Sequence, residues 1–124
     1  MRFYVASKAC EREKVHEICT ELEEMGHVVT HDWTLFDLSN MTKDEISDQV
    51  WSDILGVCKA NLLVLYMMNP HTYQGAWVEL GAALGKCIPV VVIGHGGDDC
   101  PFLCLASRRF DTLEQFYEWM KNES

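Results

Sequence analysis

Two apolar runs narrow the architecture of this chain more than anything else in it. Leu62 to Met68 (LLVLYMM) and Ile88 to Ile93 (IPVVVI) hold no polar side chain of consequence and show no alternation. Each has the length of a strand and falls far short of the roughly 18–20 apolar residues that cross a bilayer. A strand that is apolar on both sides is covered on both sides, the usual condition of parallel strands joined by helical crossovers. The segment between them, Gly75 to Lys86 (GAWVELGAALGK), is rich in small and apolar helix formers and long enough for such a crossover. A β-α-β unit is therefore expected here, and the remaining segments are read around it.

Arg2 to Ala6 (RFYVA) reads as a first strand. From Ala9 to Met25, Val15, Ile18, Cys19, Leu22 and Met25 recur on one face, which predicts an amphipathic helix stopped by Gly26. His27 to Thr30 reads as a short second strand, followed by a loop, HDWTLFDLSN. Thr42 and Glu45 have the spacing of a capping box and open a helix running to about Ala60, in which Val50, Ile54 and Val57 are expected to face the sheet. After the fourth strand, GHGGDDCP is a loop, and a weak strand is expected near Ser107 to Phe110. Asp111 is placed as the cap of a last helix, with Leu113, Phe116, Tyr117 and Met120 on one face. Strands alternating with helices give the α/β class, here a five-stranded parallel sheet in the flavodoxin-like order 2-1-3-4-5. The 124 residues are read as one domain, 1–124, without repeats or linkers.

Charge removes one class of partner. The formal net charge of -9 disfavours a nucleic acid polymer, whose binding rests on Lys and Arg neutralising phosphates. A small anion stays admissible, because a helix N-terminus binds phosphate locally. The N-terminal apolar run is too short for a signal peptide and no run spans a membrane, so a cytoplasmic protein with no membrane partner is expected. The six cysteines form no C-x-x-C pair, and reduced thiols are expected. Cys19, Cys58 and Cys87 sit in apolar patterns as small hydrophobes. Cys100 and Cys104, near His95, Asp98 and Asp99, match no zinc spacing, and neither a metal nor a cofactor is expected.

In a sheet of this order, ligands bind beyond the strand C-termini where the order reverses, between strands one and three. The segments meeting there are Ala6-Ser7-Lys8 and Met68-Asn69-Pro70, the second leading to Glu79. Motifs for several other chemistries are missing. The turn after strand one, ASKACE, is no dinucleotide fingerprint, and no P-loop or G-x-S-x-G elbow occurs. The end of strand three, YMMN, has no Asp to accept a phosphoryl group. What remains is carboxylate chemistry. Glu79 reads either as an acidic residue complementing a helix dipole or as a nucleophile facing a ligand. Asp53, in the helix before strand three, reads either as a solvated helix residue or as a partner of Glu79. Two carboxylates at one crevice suit glycosyl transfer through an oxocarbenium-like transition state.

The stretch GAWVELGAALGKCIPVVVIG, together with FYVAS, GHVVTHDWT and RFDTLEQFYEWM in the same order and spacing, resembles the nucleoside 2-deoxyribosyltransferase-like superfamily, which includes nucleoside 5′-monophosphate N-glycosidases. The resemblance spans nearly the whole chain. It implies an enzyme that breaks an N-glycosidic bond of a nucleoside or nucleoside 5′-monophosphate, as hydrolase or transferase, by double displacement. It implies Glu79 as nucleophile and Asp53 as the acidic residue that contacts the sugar. It further implies Phe3, Ala6 and Ser7 as lining the sugar and base pocket, and Tyr73 and Gly75 as the loop beside the 5′ side of the sugar. Lys8, and less directly Arg12, offer charge to a 5′-phosphate, Trp33 offers a ring to a base, and Asn69 stands at the predicted crevice. A homodimer or larger homo-oligomer is implied as well, in keeping with the small residues of the third helix. Two other readings share the architecture: a Toll/interleukin-receptor-like domain cleaving NAD, and a non-catalytic nucleotide-binding module.

Overall fold

A computed structural model describes residues 1–123. Five parallel strands run in the order β2-β1-β3-β4-β5: β1 (Arg2–Ala6), β2 (Val28–Val29), β3 (Leu62–Tyr66), β4 (Val90–Ile93) and β5 (Arg108–Phe110). The expected order and class are those observed. Four helices connect or follow them: α1 (Arg12–Glu24), α2 (Lys43–Cys58), α3 (Gly75–Gly85) and α4 (Leu113–Glu123). No helix among the described residues is long and apolar enough to cross a membrane.

The absence of alternation in the central strands has the predicted consequence. Phe3, Val5, Leu62, Val64, Tyr66, Val91 and Ile93 pack toward α1 and α4. The residues out of phase with them, Tyr4, Ala6, Leu63, Leu65, Met67, Val90 and Val92, pack toward α2 and α3. A period of two thus divides each strand between two separate cores.

Several boundaries differ from expectation for local reasons. α1 is preceded by a 3₁₀ turn at Ala9–Glu11, and the loop after β2 holds two more, Trp33–Leu35 and Leu38–Asn40. Their N-terminal Asp32 and Asp37 each accept a hydrogen bond from the backbone N–H two residues on, which competes with strand pairing. α2 starts at the predicted capping box, with Thr42 Oγ1 accepting from the Glu45 N–H and Glu45 Oε1 from the Thr42 N–H. α4 is capped one residue later than expected. The Gln115 N–H donates to Thr112 Oγ1, while the Asp111 carboxylate is engaged by His95. Cys87 is exposed, not a buried small hydrophobe, and occupies the left-handed region at φ 58° where the chain leaves α3. Val50 is largely exposed and Ile54 half-buried, so only Val57 of that expected trio belongs to the buried core.

Candidate active site

The C-terminal end of β1, the start of α3 and the middle of α2 enclose a cleft of about 450 Å³. This lies in the range of roughly 300–1,000 Å³ occupied by small-molecule sites. It sits where the sheet order reverses, between β1 and β3. Ser7, Lys8 and Gly75 contribute its polar wall, and Trp33, Leu38, Val50, Ile54 and Val78 its apolar one. Asp53 and Glu79 both line it.

Glu79 is the most unusual group in the molecule. It lies in the second turn of α3, and only 8% of its surface is exposed. The Tyr4 hydroxyl donates to its Oε2. Burial outweighs that hydrogen bond, and the nearby Asp53 charge adds to burial, so the Glu79 carboxyl is pushed up from 4.5 to about 8. Tyr4 is itself fully buried, and its hydroxyl is held far above its ordinary value, first by burial and then by the Glu79 and Asp53 charges. It therefore stays protonated, and able to donate, across the neutral pH range.

Asp53 is also pushed up by burial, an effect opposed by His31, whose Nε2 lies 3.2 Å from Asp53 Oδ1. The two groups are in close contact, but the approach is poorly aligned for a hydrogen bond. His31 stacks on Phe36 at 5.5 Å. Both His31 and Tyr4 reach this region because residue 56 of α2 is glycine. A Cβ there would lie 2.8 Å from the Cβ of His31 and about 3 Å from the Tyr4 ring.

The other expected site residues divide into two groups. Ser7, Lys8, Trp33 and Gly75 line the cleft. Ser7 Oγ donates to the Tyr66 carbonyl at 2.7 Å, and Lys8 Nζ to the Thr72 carbonyl at 2.8 Å. The Trp33 Nε1–H donates to the Val5 carbonyl at 2.7 Å, which fixes the ring against the core while its surface faces the cleft. The first amides of α3 have no side-chain cap, since Gln74 makes no capping hydrogen bond. They lie beside Ser7 and Lys8 as a potential anion seat.

Phe3, Ala6, Asn69 and Tyr73 do not line the cleft. Phe3 points to the opposite core, toward α1 and α4, because it is one residue out of phase with Tyr4. Ala6 is completely buried in the core toward α2 and α3. Asn69 is exposed and donates from Nδ2 to both carboxylate oxygens of Glu11 at 3.1 Å. Tyr73 is buried, donates to the Asn69 carbonyl at 2.6 Å and packs edge-on against Trp77, so it holds the loop in place. Arg12 donates to the Phe36 carbonyl at 3.0 Å. The set expected from the sequence does not include Tyr4 or His31. The alternation in RFYVA identifies two faces but not which of them meets α3, so Tyr4 was accessible only as one of two choices.

In the cluster of Cys100, Cys104, His95, Asp98 and Asp99, His95 and Asp98 are engaged in ion pairs. His95 binds Asp98 at 3.0 Å and Asp111 at 2.8 Å, and Arg109 bridges Asp98 at 2.8 Å. That network ties the loop after β4 to β5.

Comparison with protein-family models gives no match, and neither does a sequence comparison with curated proteins. Solved structures of similar fold include the following two. One is the CMP N-glycosidase BcmB of Clostridium botulinum, with a TM-score of 0.64 and 15% identity over 100% of both chains. The other is the 2-deoxyribosyltransferase of the psychrotolerant bacterium Bacillus psychrosaccharolyticus, with a TM-score of 0.68 and 17% identity over 94% of this chain and 90% of that one. The chain shares the fold of these two structures, the fold that the resemblance in sequence implies.

Proposed function

We propose that this protein is an N-glycosidic bond enzyme acting on a nucleoside or nucleoside 5′-monophosphate, with Glu79 as the nucleophile. The observation that carries this reading is a buried carboxylate in a cleft at the switch point, one oxygen held by a tyrosine that stays protonated. The second oxygen makes no hydrogen bond among the described residues and is the atom assigned to the attack on C1′. As the C1′–N bond breaks, its electron pair leaves with the base, which takes a proton from the solvent-open cleft. The product of this half-reaction is a glycosyl ester on Glu79. Water or a second base then attacks C1′ from the opposite side, loses its proton to solvent, and releases the Glu79 carboxylate.

Burial supports this chemistry electrostatically. An ionised Glu79 is poorly solvated, and ester formation removes the buried charge. The attack is thereby favoured, while the fraction ionised in the free protein at pH 7 is only about one-tenth. Asp53 is assigned to the sugar hydroxyls, positioned by His31. Ser7, Lys8 and the uncapped amides of α3 are assigned to a 5′-phosphate. The apolar wall with Trp33 suits a base. The likeness to a CMP N-glycosidase and a 2-deoxyribosyltransferase agrees with this substrate class.

The test is incubation with a panel of nucleosides, 5′-monophosphates and NAD, with and without an acceptor base, following the released base chromatographically. Release that needs no acceptor identifies a hydrolase, and exchange that requires one identifies a transferase. Turnover unchanged in Glu79→Ala refutes the nucleophile. Nicotinamide release from NAD alone favours the NAD-cleaving reading, and tight binding without turnover favours a binding module. Lys8→Ala is expected to raise KM for a monophosphate while leaving KM for the corresponding nucleoside within about twofold.

A further inference from the structure

Three side chains on the rim of the cleft converge without serving it. Cys10 and Glu11 lie in the 3₁₀ turn after β1, and His71 lies in the loop between β3 and α3. Cys10 Sγ is 3.5 Å from His71 Nε2, and Glu11 Oε1 is 3.4 Å from the same nitrogen. One ligand atom from each lies within 4.8 Å of the other two. As a hydrogen bond the Glu11 contact is long, since 3.4 Å is well beyond the roughly 2.7–2.9 Å of a charge-assisted bond, and Cys10 Sγ and Glu11 Oε1 converge on the same His71 Nε2. As edges of a coordination tetrahedron the two contacts fit closely. Zinc distances of about 2.3 Å to sulfur and about 2.0–2.1 Å to nitrogen and oxygen place the S–N edge near 3.6 Å and the N–O edge near 3.4 Å.

The surroundings hold the ligands. Asn69 Nδ2 reaches both Glu11 oxygens at 3.1 Å, and Asn69 is held in turn by the Tyr73 hydroxyl. The His71 ring meets Tyr73 edge-on at 5.7 Å. Such outer partners orient metal ligands. We propose that Cys10, Glu11 and His71 form a binding site for a single zinc-class divalent ion, with a water in the fourth position. On binding, the Cys10 thiol loses its proton to solvent and the thiolate takes the metal. The ion adds a coordinate link between the turn after β1 and the loop after β3, the two segments that carry Lys8 and Thr72 and are already joined by the Lys8–Thr72 and Asn69–Glu11 hydrogen bonds. It acts as a clip on the cleft wall and takes no part in bond cleavage.

The experiment is titration of the reduced, chelator-treated full chain with cobalt(II), followed by competition with zinc(II). The expected result is saturation at one equivalent, with a thiolate-to-cobalt charge-transfer band and the visible bands of four-coordinate cobalt, all erased by zinc. Cys10 is exposed, so Cys10→Ser leaves the core intact. Loss of the charge-transfer band in Cys10→Ser and weakened binding in His71→Ala, both with unchanged circular dichroism, are expected. Its retention in Cys100→Ser and Cys104→Ser is expected as well. Zinc is also expected to raise the melting temperature of the wild-type chain but not that of Cys10→Ser. A band that survives Cys10→Ser, or no thiolate band at one equivalent of cobalt, overturns the proposal.

Discussion

Replacing Glu79 with glutamine isolates the energetic consequence of burying this carboxyl. In the folded protein it titrates near 8, against an ordinary value of 4.5. Between these values the native state retains a proton that the unfolded chain has released, so stability falls as pH rises through that window and is level above it. The difference of 3.5 between the two values, at about 1.36 kcal/mol each, gives a limiting loss of about 5 kcal/mol above pH 8. Glutamine keeps an oxygen to accept from Tyr4 and has no charge to desolvate. Glu79→Gln is therefore expected to match the wild type to within about 1 kcal/mol at pH 5 and to exceed it by about 4 to 5 kcal/mol at pH 9. For 124 residues at about 2.1 cal/mol/K each, 1 kcal/mol corresponds to about 4 °C, so the gap in melting temperature reaches about 16–20 °C. Parallel thermal melts of both proteins from pH 5 to pH 9 measure it, and titrating groups that do not interact with residue 79 cancel in the difference. A gap that stays constant across that range refutes the assignment of a buried, proton-retaining carboxyl. A stabilised but inactive variant would show that this residue is retained at a cost to the fold.

Three further outcomes are expected. In the proposed reaction kcat/KM rises with pH through an apparent value near 8; Tyr4→Phe removes the hydrogen bond that favours the ionised form and moves this profile to higher pH, measurable as pH–rate curves for both proteins. Gly56→Ala forces a Cβ against His31 and Tyr4, and is expected to destabilise by about 1–2 kcal/mol net of the improved helix propensity, which urea unfolding reads. Cys87→Gly relieves a left-handed residue at the end of α3 and is expected to stabilise by about 0.5–1 kcal/mol without changing turnover, visible in the same unfolding assay.

The parts of this protein legible in its sequence are those controlled by local periodicity. LLVLYMM and IPVVVI announce strands covered on both faces, and the Thr42–Glu45 pair announces the start of α2, because each signal is carried by residues close in the chain. The order of the strands is the common one for a five-stranded sheet of this class, right-handed crossovers place the helices on its faces, and together they bring Glu79, Asp53, Ser7, Lys8, Trp33 and Gly75 to one cleft. Periodicity also distinguishes Phe3 from Tyr4 as residues on opposite faces of β1. It does not say which face meets α3, since both are equally apolar, and only packing assigns Tyr4 to Glu79 and Phe3 to the other core. Residues distant in sequence are subject to the same limit. Cys10 and Glu11 meet His71 sixty residues on only because β1 and β3 are neighbours, and a search for close cysteine spacing cannot find a set assembled across a sheet. The shift of Glu79 is likewise a property of the folded interior: its carboxyl is ordinary in the unfolded chain, and close packing in the folded protein strips its water and supplies a single tyrosine in return.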